Sequence, residues 1–233
     1  MDAPKLHSEL LRKSRAYQIP ERAIELLRVY HPLIIAGVTA SGKNAIISYI
    51  MQRAHYDHVV THTTRPLRSK EQNGVDHWFV SEKEMLKLLE EQKLIESQPI
   101  HTDFVYGTSF AAFEKVINSG KKPLMELDIQ GINALTSHIP HLEPIFILPP
   151  SFEVWMDRLG GRDFMSDGEK ARRLRSARIE IEAAIQNRNF VLIVNHEVDD
   201  TAHQIMSGVS AYAYDQPHNY QLAQELIEYL KDY

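Results

Sequence analysis

The stretch HPLIIAGVTASGKN, residues 31–44, decides the fold class of this chain. Residues 31–36 form a short apolar run followed by a glycine, which predicts a buried parallel strand. Residues 44–53 then carry isoleucines at helical spacing. Between the two, residues 37–44 fit the pattern GxxxxGK, in which backbone N–H groups and a helix N-terminus face an anion. The stretch therefore predicts a loop that binds the phosphates of a nucleotide, with a plain strand-to-helix turn as the alternative.

Every residue of this loop is a candidate contact for the phosphates of a nucleotide. Lys43 would reach the β- and γ-phosphates of the nucleotide. Asn44 stands where serine or threonine is usual, and the usual hydroxyl ligates Mg²⁺. Because an amide oxygen can also ligate a hard cation, Asn44 is still a candidate ligand of Mg²⁺. The full candidate set is Gly37, Val38, Thr39, Ala40, Ser41, Gly42, Lys43 and Asn44.

Three further apolar runs have the character of buried strands. They lie at residues 123–128, 143–148 and 190–194, and helical patterns separate them. Strands that alternate with helices imply a parallel sheet covered by helices on both faces. The chain is therefore predicted to be an α/β protein.

Other segments break this alternation. Residues 59–122 are polar and rich in turn residues around an amphipathic helix at 81–92, which predicts an inserted lobe. Residues 160–171 are glycine-rich and charged, as a mobile flap would be. At the two ends, residues 5–29 predict one or two helices, and residues 219–231 predict a closing amphipathic helix after a break at Gln216-Pro217.

The composition narrows the classes of function. A net charge of −5 over 233 residues gives no electrostatic case for binding nucleic acid or an anionic membrane. The chain has no cysteine, which excludes disulfides, thiolate catalysis and cysteine metal sites and fits a reducing compartment. Its apolar runs are too short to span a bilayer, and its N-terminus does not read as a signal peptide. We expect a cytoplasmic monomer or homodimer.

Three stretches beyond the loop, in a fixed order along the chain, carry a family resemblance. They are residues 61–68 with 73–81, residues 95–96 with 106–109, and residues 124–131 with 147–151. Together with the loop they resemble the guanylate kinases over roughly residues 32–208. The resemblance implies a P-loop NTPase fold with a three-layer core, an inserted GMP-binding lobe and a helical lid. It also implies transfer of a phosphoryl group from Mg-ATP to GMP, giving ADP and GDP.

The resemblance also implies a division of the chain into domains. An N-terminal helical extension at 1–30 precedes a guanylate kinase-like domain at 31–208, and a helical tail follows at 209–233. Within the central domain we expect the core at 31–58, 123–157 and 174–208, the GMP-binding lobe at 59–122, and the lid at 158–173.

Carried across by position, several polar residues would bind GMP. Thr61 and Thr108 would meet the O6 edge of guanine, and Glu96 would accept hydrogen bonds from N1 and the exocyclic amine. Adenine lacks that pair of donors, so such a pocket would reject AMP. The residues expected to bind the GMP phosphate are Arg65, Arg68, Tyr106 and His77 (in place of a tyrosine usual in the family). Glu126 is expected either to face GMP or to share the Mg²⁺ role of Asp128.

The remaining implied residues act on the donor side. Asp128, at the end of a predicted strand, is the expected carboxylate for Mg²⁺. Arg158, Arg162 and Arg173 match the arginines of the lid, and Asn195 matches a contact loop on the adenine side. Ala40 replaces a glycine common in relatives, and its Cβ is expected to crowd the loop. The residues expected to act in catalysis are Lys43, Arg65, Arg162, Arg173 and Asp128.

Two other functions stay open on the sequence. Ala40, Asn44 and His77 depart from the family pattern, as a catalytically weak or inactive module that binds a protein partner would. A related kinase for another phosphorylated acceptor, such as a ribose phosphate, is the second alternative. The pairing of Glu96 with Thr61 and Thr108 favours guanine over that second acceptor.

Overall fold

The computed structural model describes residues 3–100, 103–161, 166–208 and 215–233. The strands are β1 (Leu33–Gly37), β2 (Tyr56–His58), β3 (His62–Thr63), β4 (Trp78–Phe79), β5 (Leu94–Ile100), β6 (Phe104–Ser109), β7 (Lys122–Glu126), β8 (Ile145–Leu148) and β9 (Val191–Val194). The helices are α1 (Ala3–Arg15), α2 (Glu21–Tyr30), α3 (Lys43–Arg53), α4 (Glu82–Glu90), α5 (Phe110–Asn118), α6 (Ile129–His138), α7 (Phe152–Gly160), α8 (Asp167–Gln186), α9 (Val198–Met206) and α10 (Gln216–Tyr229).

A five-stranded sheet contains the strands predicted from the apolar runs, in the order β2-β7-β1-β8-β9. The pairs with a recorded register are parallel, with Ile35 opposite Ile145 and Ile147 opposite Ile193. All four residues of β8 are buried, as expected of a strand that is covered on both faces. The predicted α/β class with a parallel sheet is therefore confirmed.

A second sheet has four strands in the order β4-β3-β6-β5 and lies within the segment predicted to be an inserted lobe. Strands β5 and β6 pair antiparallel, and their register sets Glu96 opposite Thr108. Helix α4 begins at a capping box, in which the Ser81 side chain accepts from the Glu84 N–H while the Glu84 carboxylate accepts from the Ser81 N–H. This cap explains why the amphipathic helix predicted at 81–92 starts at Glu82.

The chain divides into two compact units. The first contains Met1–Leu33, Tyr56–Met125 and Gln130–Pro140, and the second contains Ile34–His55, Glu126–Ile129 and His141–Tyr233. Helices α1 and α2 thus belong to the unit that holds the four-stranded sheet. Helix α10 belongs to the other unit. Across the described ranges, each helix is either too short or too polar to span a bilayer.

The C-terminal helix starts earlier than predicted. The sequence predicted a break at Gln216-Pro217, but α10 includes both residues. Proline is tolerated in the first turn of a helix because the N–H that it lacks would have no intrahelical partner there. Gln216 anchors this first turn to β9, since its side-chain oxygen accepts from Leu192 N at 3.0 Å and its amide donates to Leu192 O at 2.9 Å.

Candidate active site

The predicted phosphate loop connects β1 to α3. Helix α3 begins at Lys43, with Gly42 as its N-cap residue. The first N–H groups of a helix have no intrahelical partner and face away from the helix body, where they can meet an anion. Ser41 is 0% exposed, and its hydroxyl has no hydrogen-bond partner within the described part of the chain. The loop therefore offers donors, including a buried hydroxyl, that suit phosphate oxygens.

Two residues of the loop have left-handed backbone conformations. Gly42 has φ 93°, and a Cβ on it would come within 2.1 Å of the Asn195 Nδ2 atom. Both the dihedral angle and the space therefore require glycine at this position. Ala40 has φ 61° and is 5% exposed. Alanine rarely adopts this conformation, so its departure from the family pattern affects the backbone in addition to the expected crowding.

Two side chains donate hydrogen bonds to carbonyl oxygens of the loop. Asn195 is 1% exposed; its Nδ2 donates to the Ser41 carbonyl at 2.7 Å and its Oδ1 accepts from the Thr201 hydroxyl at 3.1 Å. The indole Nε1 of Trp155 donates to the Thr39 carbonyl at 2.8 Å. Asn195 was expected to contact the adenine side of the nucleotide. These contacts show that its side chain also holds the loop in shape, and the contact with the adenine side stays a prediction.

Lys43 lies among carboxylates. Its Nζ forms an ion pair with Glu126 Oε1 at 2.8 Å. Burial raises the pKa of Glu180 to about 7, with the positive charge of Lys43 opposing the shift and the negative charge of Asp128 adding to it. Glu126, expected either to face GMP or to share the Mg²⁺ role of Asp128, is the ion-pair partner of Lys43, and its contact with a substrate or metal stays a prediction. Glu180, on α8, was not identified from the sequence, because nothing marks it among the other charges of that helix.

Within the first unit, two hydrogen-bonded pairs contain the three residues expected to read guanine together with His77; one pair is buried and the other is partly buried. The Thr108 hydroxyl donates to Glu96 Oε1 at 2.8 Å, and the two residues are 0% and 4% exposed. The Thr61 hydroxyl is hydrogen-bonded to His77 Nδ1 at 2.8 Å. The ring of His77 also packs edge-on against Tyr106, with centroids 5.6 Å apart. The structure thus groups all five of these residues in the lobe.

The guanidinium of Arg65 is held in place by several hydrogen bonds within the protein. Its guanidinium donates to both carboxylate oxygens of Glu71, at 2.7 and 2.9 Å, and to the Pro66 carbonyl at 2.8 Å. Its Nε donates to the Tyr106 hydroxyl at 3.0 Å. Because that hydroxyl accepts from Arg65, its own proton is left to donate elsewhere, which is the function predicted for Tyr106.

Glu71 also contacts the second predicted phosphate arginine. Its Oε2 accepts from the backbone N–H of Arg68 at 2.9 Å, while the Arg68 residue itself is exposed. Burial acts to raise the pKa of Glu71, but the hydrogen bonds from Arg65 and Arg68 outweigh it and lower the pKa. Sequence reasoning missed Glu71, because a turn that contains Glu71-Gln72-Asn73-Gly74 reads as an ordinary polar loop.

Two of the three lid arginines lie in described helices. Arg158, on α7, donates to the carbonyl oxygens of Asn195 and His196, both at 3.1 Å. Arg173, on α8, forms an i,i+4 ion pair with Glu169 at 2.6 Å. The third, Arg162, lies outside the described residues.

Comparison with known proteins agrees with the resemblance read from the motifs. The family model described as "Guanylate kinase" matches residues 29–212. The guanylate kinase of Leifsonia xyli subsp. xyli is 34% identical over 195 residues, which cover 82% of this chain and 75% of that protein. The guanylate kinase of Schizosaccharomyces pombe is 32% identical over 178 residues, which cover 75% of this chain and 87% of that protein.

A solved structure has the same fold. The crystal structure of guanylate kinase from Anaplasma phagocytophilum superposes with a TM-score of 0.59 at 24% sequence identity. The match covers 79% of this chain and 86% of that chain.

Proposed function

The chain belongs to the guanylate kinase family, and we infer that it transfers the γ-phosphoryl group of Mg-ATP to GMP, giving ADP and GDP. The observation that carries this inference is the buried carboxylate of Glu96, held by Thr108. A buried carboxylate needs donors, and guanine offers two adjacent ones at N1 and the exocyclic amine. Adenine offers neither donor in that arrangement, so AMP would make fewer hydrogen bonds to Glu96 than GMP.

We propose that the GMP phosphate is bound by Arg65, Arg68 and Tyr106. Glu71 holds the guanidinium of Arg65 in one orientation, which reduces the entropy lost when a phosphate binds. Arg68 is exposed and brings a second positive charge. The proton of the Tyr106 hydroxyl gives a directional hydrogen bond. Together these groups would orient the acceptor oxygen for attack.

On the donor side, we propose that residues 37–44 bind the phosphates of ATP. Lys43 would exchange part of its pairing with Glu126 for the β- and γ-phosphates, because a lysine ammonium has three N–H donors. The buried hydroxyl of Ser41, which has no hydrogen-bond partner among the residues that the structure describes, supports the presence of a ligand here. Asn195, Thr201 and Trp155 would act indirectly, by fixing the shape of the loop.

The residues near Lys43 also fit Mg²⁺. Glu126 pairs with Lys43, and the negative charge of Asp128 contributes to the raised pKa of Glu180, so several carboxyl groups meet beside the loop, as at sites that bind a hard cation. Within the described residues, no three His, Asp or Glu side chains could hold a metal ion by themselves. Mg²⁺ usually takes one or two carboxylates together with the phosphates of the substrate, so Asp128 suits this mode, as does Asn44, which follows Lys43 in the chain. When bound, Mg²⁺ would neutralise charge on the transferred group.

The reaction needs no general base from the protein, because the acceptor is already an anionic phosphate oxygen. The chain would contribute alignment and neutralisation of charge. Lys43 and the lid arginines Arg162 and Arg173 would stabilise the charge of the phosphoryl group in flight. Arg158 donates to the carbonyl oxygens of Asn195 and His196. It would lie next to the donor nucleotide.

The direct test measures ADP formation from Mg-ATP with GMP, AMP, CMP and UMP as separate acceptors. We expect turnover with GMP, and we expect Lys43→Ala to lower kcat/KM by at least about a hundredfold. Lys121→Ala is the matched control, since this lysine is exposed and pairs only at the surface with Asp57. If no acceptor supports ADP formation while the protein still binds GMP, the chain would instead be a binding module. Turnover with a ribose phosphate alone would indicate the related kinase.

A further inference from the structure

Helix α1 lies outside the part of the chain that matches the family, which begins at residue 29. It nevertheless packs against the GMP-binding lobe. Leu10 of α1 is 1% exposed and shares a hydrophobic cluster with Met85, Leu89, Leu94 and Val105. Because Leu94 belongs to β5 and Val105 to β6, this cluster ties α1 to the two strands that carry the candidate GMP contacts.

A hydrogen-bonded chain runs from α1 into these strands. The Ser97 hydroxyl donates to the Tyr106 carbonyl at 3.2 Å. A hydroxyl has one proton, so the contact of 2.9 Å between the hydroxyls of Ser14 and Ser97 has Ser14 as its donor. Ser14 and Ser97 are each 2% exposed. The chain from Ser14 through Ser97 therefore ends on the backbone of Tyr106, with little competition from water.

Tyr17 makes a second link just after α1. Its hydroxyl donates to the carbonyl oxygen of Leu94 at 2.7 Å. Burial raises the pKa of Tyr17; the hydrogen bond to Leu94 opposes this shift, and the negative charge of Glu96 adds to it. The hydroxyl of Tyr17 therefore binds β5 two residues before Glu96. Ser14 and Tyr17 thus bind β5 on both sides of Glu96, at Ser97 and at Leu94.

We propose that Ser14 and Tyr17 are positioning residues for GMP, holding the β5 strand so that the Glu96 carboxylate meets the guanine edge and the Tyr106 hydroxyl meets the phosphate. The proposal rests on the proposed function, because it concerns how the acceptor is recognised. A carboxylate that reads two donors at once must be fixed in direction. In this chain, the N-terminal residues preceding the family match supply part of that fixation.

Two substitutions test this proposal while removing only one hydroxyl each, Ser14→Ala and Tyr17→Phe. In the double variant we expect the Kd and KM for GMP to rise by about threefold to tenfold, the scale of one or two hydrogen bonds. The KM for ATP should not change. Inosine monophosphate lacks the exocyclic amine that Glu96 would bind. The preference for GMP over inosine monophosphate, as a ratio of kcat/KM, should therefore fall in the double variant.

Lys13→Ala is the matched control, because Lys13 lies on the same helix and pairs with Glu90 of α4 at the surface. It should leave the GMP preference unchanged. Equal GMP affinity and equal preference in the double variant and the wild type would overturn the proposal. So would equal rises in the KM for GMP and for ATP. A wild type that binds GMP without phosphorylating it would refute only the proposed reaction, since the Kd measurement still applies. A wild type that does not bind GMP would overturn both.

Discussion

At the scale of single residues, Ala40 shows how a departure from a family pattern is tolerated. The residue occupies the left-handed region with φ 61° and is 5% exposed, so the loop keeps a glycine-like backbone at this point. The conformation costs an alanine roughly 1–2 kcal/mol, which the contacts around the loop must offset. Asn195 and Trp155 supply such contacts by holding the Ser41 and Thr39 carbonyls.

Replacing Ala40 by glycine should therefore stabilise the protein. We expect Ala40→Gly to raise the free energy of unfolding by about 0.5–1 kcal/mol, because relief of backbone strain exceeds the added entropy of the unfolded chain. Ala171 is the control, because it lies inside α8 with a helical, right-handed backbone conformation. Ala171→Gly should lower the free energy of unfolding by about 1 kcal/mol. Urea unfolding of both variants measures the contrast. Equal destabilisation by the two glycines would mean that Ala40 is not strained.

At the scale of elements, the turn between β3 and β4 depends on one carboxylate. Glu71 binds the Arg65 guanidinium through two hydrogen bonds and also binds the Arg68 N–H. Arg65 is 8% exposed, so its charge would be buried and incompletely paired without Glu71. The same turn carries both of the arginines proposed for the GMP phosphate.

Glu71→Gln should thus destabilise the protein by about 1–3 kcal/mol, the cost of leaving a buried charged group without its full set of hydrogen bonds. Glu182→Gln is a suitable comparison, since Glu182 pairs with Arg178 at the surface of α8 in an i,i+4 pair. That change should cost about 0.5 kcal/mol or less. Differential scanning calorimetry measures the loss of stability in both variants. Similar losses of stability would show that the Glu71–Arg65 pair behaves as a surface ion pair.

At the scale of the whole molecule, the pH dependence of stability includes a contribution from one partly buried histidine of the lobe. His62, on β3, is partly buried beside Trp78, and its Nδ1 atom has no hydrogen-bond partner among the described residues. Burial lowers the pKa of His62 below its usual range. The folded protein therefore binds fewer protons at this site than the unfolded chain does below about pH 6.5.

It follows that the contribution of His62 to stability is present above about pH 6.5 and is lost as the pH falls through its folded pKa. The wild type should lose stability between pH 7 and 5 more steeply than His62→Phe, by at most about 1.4 kcal/mol per pH unit for one proton. Thermal melts of both proteins across this range test the difference, because the other histidines titrate in both. Parallel curves would contradict it.

The amino-acid pattern alone predicted the fold class and the position of the loop. Both are local properties: apolar runs of strand length are confirmed as strands, and two glycines with a lysine at fixed spacing mark the turn before α3. The first residue of a helix was harder to predict, as at the start of α10. A proline in the first turn, such as Pro217, and a proline that breaks a helix look alike in sequence.

Which charged side chains form ion pairs became apparent only in the folded chain. Glu126 pairs with Lys43, Glu71 pairs with Arg65, and Glu180 shares the environment of Lys43, although none of these pairings is marked by spacing along the chain. The contacts of Ser14 and Tyr17 with β5 likewise join residues that are 83 and 77 positions apart from their partners. Hydrophobic patterns are set by neighbours in sequence, whereas the partner of a polar group depends on the folded path of the whole chain.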